Sequence, residues 1–197
     1  MMKHSFFRQD TVELARRLLG TLLVHRTREG VAAGMVVETE AYVGAIDKAC
    51  HAWQNRSQRT EIMYQDGGYA YVYLIYGMHY CFNVVTGPQG EGNAVLVRAL
   101  EPVTGIDLMR KRRQTNQLSN LCSGPGKVCQ ALGITKHEYG SDLCDSAGPL
   151  RLVRFRSIPA NGIASSPRIN VSYAEEAAAW PWRFYVKDNP YVSGKSS

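Results

Sequence analysis

Apolar residues at Val12, Ala15, Leu18 and Leu19 recur at three- to four-residue intervals and predict a helix. Asp10 stands at its N-cap position with Glu13 three residues on, and Gly20 suits the residue after its last turn. Residues 1–9 read as an irregular lead-in. The period then changes: TLLVHR (21–26) reads as a strand, REG (28–30) as a reversal, and residues 31–42 as a longer strand paired with the first in a hairpin. Residues 44–68 are polar and loop-like, and loops of that length are usually functional. YAYVYLIYGMHYCFNVVTG (69–87) predicts two strands joined at Gly77-Met78, and AVLVRALEP (94–102) predicts another. Helices follow over 105–113 and 123–133, the second with Pro125 in its first turn and Gly133 as its stop. Short strands are predicted at 151–155 and 182–186, with turn-rich stretches at 157–168 and 188–197. The expected fold is one compact α+β (mixed α/β) domain over 1–197, with a curved, mainly antiparallel sheet, flanking helices and a protruding β-hairpin.

The long strand contains VVETEAY (36–42). Strand parity puts Glu38, Glu40 and Tyr42 on one face and Val37, Thr39 and Ala41 on the other. Three readings are open. The two carboxylates can hold a divalent metal with Asp47 or Asp66 as a third ligand, one can be a general base beside an apolar pocket, or both can be salt-bridged on a half-exposed strand. In the 69–87 hairpin, Tyr76 lies beside the turn, where it either stacks on a partner such as an opened base step or packs on a neighbouring loop. Asn83 is a polar amide inside an apolar strand and needs partners, from the backbone or from a ligand.

Composition narrows the class. The 197 residues carry a net charge of +6, a modest bias toward anionic partners. The tightest basic run, Arg110-Lys111-Arg112-Arg113, is either a phosphate footprint or a solvated helix end. The five cysteines are an odd number without short paired spacing, which predicts packed thiols in a reducing, cytoplasmic compartment rather than a disulfide framework or zinc site. There is no apolar leader and no run of 18 apolar residues. Glycine-rich nucleotide motifs, GxSxG and HExxH are absent.

LARRLLGTLLV (14–24), VVETEAYVG (36–44), YVYLIYGMHYCFNVV (71–85), VLVRALEP (95–102), LCSGPGKVCQALGI (121–134) and WRFYV (182–186) together resemble the alkyladenine (3-methyladenine) DNA glycosylase family, in order and over almost the whole chain. The resemblance implies that Glu40 positions and deprotonates the attacking water, with Arg98 as a helper near that water, the pocket and the phosphate backbone. Tyr42, His51 and Tyr73 would sandwich a flipped base, and His51 would also hydrogen-bond its edge. Asn83 would read against the 2-amino group of guanine, and Tyr76 would be the wedge that fills the duplex. The implied enzyme is a monofunctional glycosylase for 3-methyladenine, 7-methylguanine and hypoxanthine that leaves an abasic site. It needs no metal or cofactor and works as a monomer on double-stranded DNA, cytoplasmic and nucleoid-associated, away from membranes. PRINVSYA (167–174) departs from the glycine-rich RVG-type stretch expected there, which places Asn170 and Ser172 to alter which bases fit. The rival readings are a metal-dependent nuclease using Glu38 and Glu40, and a non-catalytic binder of distorted DNA with Tyr76 as its wedge.

Overall fold

Phe7 gives the N-terminal segment its structure. In the computed structural model, which describes residues 2–54 and 56–194, the lead-in contains one helical turn, α1 (His4–Phe7). Phe7 is fully buried, so an apolar anchor orders a stretch whose sequence shows no period. The helix α2 (Thr11–Arg17) begins where Asp10 accepts a hydrogen bond from the Glu13 N–H at 2.9 Å. After it the chain turns at Gly20, where φ is +82° and a Cβ would fall 2.2 Å from the Arg156 carbonyl oxygen.

The strands β1 (Leu22–Thr27) and β2 (Gly30–Tyr42) pair antiparallel as predicted. They are followed by β3 (Ala70–Ile75), β4 (His79–Thr86) and β5 (Asn93–Thr104). The helices α3 (Ile106–Arg113) and α4 (Pro125–Leu132) come next, with Pro125 opening α4 and Gly133 closing it in the left-handed region. Then come β6 (Leu150–Val153), β7 (Ile163–Ser166) and β8 (Arg183–Val186). The eight strands form one sheet in the order β3-β4-β5-β2-β1-β6, with β8 on β2 and β7 on β8, and every described pairing of these strands is antiparallel. The expected single α+β domain is the observed one. The segment 157–168, read as turns, contains β7. Its sequence IASS has no apolar alternation, and pairing with β8 makes it a strand.

The central strand β2 departs from simple parity. Its register against β5 shifts on both sides of Glu38, a bulge that adds a residue to one strand. Val36 and Ala41 therefore enter the main core, whereas Val37 packs with Met35, Ala99 and Val192 in a separate cluster. This corrects the grouping of Val37 with Ala41. The helices cover one face of the sheet: Leu14 of α2, Met109 of α3 and Val128 of α4 share a cluster with Val72, Phe82 and Val97. The next residues along those strands point the opposite way. There Tyr71, Val85 and Ala94 gather with Tyr42, Tyr73 and Met63 in a smaller aromatic cluster.

Candidate active site

The aromatic face of the sheet is concave. A cavity of about 330 Å³ opens on it, within the range of small-ligand sites. Alternate residues of the strands form its floor: Tyr71 and Tyr73 of β3, Cys81 and Asn83 of β4, Leu96 and Arg98 of β5, and Tyr42 at the end of β2. The loop after β2 brings Ala49, Cys50 and His51 to one wall, and residues 169–173 form another.

The wall is mostly rings. His51 meets Tyr73 edge to face at 4.6 Å, and Tyr71 stacks on Tyr73 at 5.4 Å. His51 Nδ1 and Tyr71 Oη share a hydrogen bond of 2.9 Å. Burial, assisted by the Arg59 charge, pushes the His51 imidazole down to about 4, so it is neutral at pH 7. Burial likewise raises the phenols of Tyr42 and Tyr73, which stay protonated. Asn83 is buried, and its Nδ2 is anchored to the Tyr71 carbonyl at 3.1 Å.

Glu38 and Glu40 are both fully buried, yet their surroundings differ. Glu38 takes four hydrogen bonds: Oε1 accepts from Arg98 Nε (3.1 Å), Arg183 Nε (2.7 Å) and Ser193 Oγ (2.9 Å), and Oε2 from the Ser193 N–H (2.6 Å). Glu40 receives the Tyr42 hydroxyl (2.7 Å) and Arg98 Nη1 (3.3 Å) on Oε2, and the Ile169 N–H (2.8 Å) on Oε1. A carboxylate offers about four lone-pair positions. Three are used, and the open one is on Oε1. Glu40 lies directly beneath the cavity floor, behind Tyr42, Arg98 and Ile169, all of which line it. Of its three contacts, the one to Arg98 is the longest.

Arg98 is buried between these carboxylates, and all three of its guanidinium nitrogens donate inside the protein, to Glu38, Glu40 and Ser193. The 110–113 run is also mainly a fastening. Arg110 pairs with Asp107, Arg112 binds Glu29, Thr27 and the Ala131 carbonyl, and Arg113 binds the Leu121 carbonyl and Gln130. Among these four, Lys111 is the one that extends into solvent. The donor set does not fit a divalent cation. Guanidinium groups occupy the cation positions at Glu38 and Glu40, Asp47 is paired with Arg168, and Asp66 with Arg8. The metal-dependent nuclease therefore lacks a site here.

Tyr76 lies at the tip of the β3–β4 hairpin, 76 % exposed, beside the likewise exposed Met78. It lines the cavity mouth, so one β-hairpin supplies both the pocket floor and a projecting aromatic. Four participants were not legible in the sequence as parts of this site: the Ile169 amide, Arg168, Arg183 and Ser193. Asp47, read from the sequence as a candidate third metal ligand, is instead paired with Arg168.

A ring-walled cavity over a buried carboxylate, beside an exposed hairpin aromatic, is suited to an enzyme that encloses a flat heterocycle. The family model for methylpurine-DNA glycosylases matches residues 5–190, and the chain belongs to that family. Full-length relatives agree. A putative 3-methyladenine DNA glycosylase of Alkaliphilus oremlandii is 44 % identical, covering 98 % of this chain and 99 % of its own. Those of Bacillus cereus (strain G9842) and Bacillus anthracis (strain A0248) are 48 % and 46 % identical, each covering 97 % of this chain and 98 % of its own. The activity of the family is hydrolytic removal of damaged purines from DNA, without strand cleavage.

Proposed function

We propose that residues 1–197 act as one glycosylase domain in which Glu40 is the general base, and that 3-methyladenine, 7-methylguanine and hypoxanthine are its substrates. The observation that carries this reading is the unequal pair. Glu38 takes four bonds, three of them from Arg183 and Ser193, which lie off the cavity, while all three partners of Glu40 line the cavity and its Oε1 keeps an open position beneath the floor. A damaged nucleotide leaves the stack of double-stranded DNA before its C1′ can be attacked, and Tyr76 fills the gap it leaves. The extruded base enters between the faces of Tyr42, His51 and Tyr73. An electron-poor alkylated purine gains most from such a cage. The neutral His51 supplies a hydrogen bond to the base edge, and Asn83 reads against a 2-amino group.

Glu40 then orients and deprotonates water, and its charge stabilises the positive sugar that forms as the base departs. Because Glu40 has no exposed surface, water reaches the carboxylate only when a neighbour shifts, and withdrawal of the Arg98 Nη1 would open a position on Oε2. Arg98 is the neighbour suited to do so, through its long contacts of 3.3 Å to Glu40 and 3.4 Å to Ser193. Among the described residues no lysine lines the cavity, so the reaction proceeds by water and yields an abasic site rather than a Schiff base. The same reading has the protein act as a monomer. The five free cysteines support a reducing, cytoplasmic setting, and action on DNA would place the protein at the nucleoid. Among the described residues no helix is long and apolar enough to cross a membrane.

The test uses a duplex bearing hypoxanthine or 3-methyladenine, incubated with excess protein in EDTA and assayed for free base. The native protein releases base without nicking, and Glu40→Gln binds the lesion but releases none. Activity retained by Glu40→Gln and lost in Glu38→Gln would reverse the assignment. Binding by the native protein without release would favour the non-catalytic binder.

A further inference from the structure

We propose that Arg168 and Asp47 form the positioning pair for the Glu40 carboxylate, holding the peptide N–H that the base depends on; this rests on the reading of Glu40 as the general base. Both side chains are fully buried. The Arg168 guanidinium grips both oxygens of Asp47, and it donates to the Ala41 carbonyl at 2.8 Å and the Ala177 carbonyl at 3.1 Å. It also lies over the rings of Tyr42 at 4.7 Å and Trp182 at 5.4 Å. One side chain thus ties together the end of β2, the loop that leads to His51, and the segment 168–177.

Each of those three segments delivers a working group. The end of β2 carries Glu40 and Tyr42. The loop is shaped by Asp47 itself, whose Oδ1 accepts the Ala49 N–H at 2.9 Å and whose carbonyl accepts the Cys50 N–H at 2.9 Å, one residue before His51. In the third segment, the residue directly after Arg168 donates the 2.8 Å bond to Glu40 Oε1. A bidentate guanidinium fixes angle as well as distance, so the Ile169 amide cannot rotate away while the Arg168–Asp47 grip holds. The pair touches no cavity space of its own, since neither residue lines the pocket. Its influence on the reaction passes through Glu40 and Tyr42.

Loss of the grip frees the amide and removes a bond that favours the ionised base. The acidic limb of the excision rate then moves to higher pH, because more of the base is protonated at any given pH. The other groups that act on Glu40 stay in place in such a variant: Tyr42 on its own strand, Arg98 of β5 with Glu38 beyond it, Tyr73 of β3 and Cys81 of β4.

The experiment is single-turnover excision of hypoxanthine from duplex DNA by the full chain across pH, with lesion affinity and thermal unfolding measured alongside. In Arg168→Met the rate falls on the order of 100-fold from misplacement of the base, the acidic limb moves up, and affinity changes far less than rate. Arg168→Lys, which keeps the cation but not the fork, is intermediate in both rate and limb. If Arg168→Met fails to fold because Asp47 is left unpaired, the charge-neutral double variant Asp47→Asn/Arg168→Met carries the same expectation. An unchanged rate, or a rate loss with the limb unmoved in a folded variant, overturns the proposal. Glu40→Gln run in parallel separates the two readings. If it stays active, the general-base assignment fails. If it is dead while the limb of the Arg168 variants is unmoved, only the positioning role fails.

Discussion

Tyr76 should be a residue whose removal leaves the protein at least as stable while making it worse at its task. It sits at φ +53°, a left-handed conformation that costs a residue with a Cβ about 1–2 kcal/mol. Its ring is 76 % exposed, so little packing offsets that strain. Tyr76→Gly removes the strain but adds unfolded-state entropy worth about 0.4–1 kcal/mol. The balance is a fold unchanged or more stable by up to about 1.5 kcal/mol, read as an upward shift of the urea midpoint. On DNA the sign reverses. Loss of one aromatic stack removes about 1–3 kcal/mol, a roughly 5- to 150-fold weaker Kd for a hypoxanthine-bearing duplex. A fluorescent base analogue beside the lesion should show less unstacking in the variant. A Tyr76→Gly protein destabilised by more than about 1 kcal/mol would mean that the ring is held by packing and the strain argument is wrong. Unchanged affinity would remove the wedge role.

Two other outcomes follow from the buried charges. Glu38→Gln leaves Arg98 and Arg183 short of their shared partner, which should cost about 3–5 kcal/mol and lower Tm by about 6–20 °C in a domain of this size; a drop under about 3 °C in differential scanning calorimetry refutes the scaffold role. His51 is held neutral with its folded value near 4, below its ordinary 6.5. The unfolded chain therefore takes up a proton first as pH falls, and stability present above pH 6.5 is lost progressively down to about 4, on the order of 2–3 kcal/mol. His51→Gln should flatten that slope in urea titrations between pH 7 and 4, and an unchanged slope shows that other groups produce it.

What could be read from the sequence was what is decided locally. Asp10 with Glu13, the reversal at Gly77, and Pro125 with Gly133 each act within one or two turns of backbone, and each stands where it was expected. Parity brought Glu38, Glu40 and Tyr42 to one face but missed the bulge at Glu38, which only the partner strands reveal. The difference between the two glutamates was invisible for the same reason. It is made by Ile169, Arg183 and Ser193, between 129 and 155 residues further along the chain. For the basic run at 110–113, charge density alone does not show where the carbonyls and Glu29 lie that take up Arg112 and Arg113.

The four charges at the centre of the site cancel. Glu38 and Glu40 face Arg98 and Arg183 in a buried cluster with no net charge, inside a protein whose whole carries +6. Mobile ions act strongly on exposed charges and weakly on buried pairs, whereas contacts to the phosphate backbone weaken steeply as counterions accumulate. The enzyme therefore has two electrostatic regimes. With Glu40 as the proposed base, ionic strength would govern how long the protein stays on DNA, and the bond-breaking step, once the base is enclosed, would proceed in surroundings that salt barely reaches.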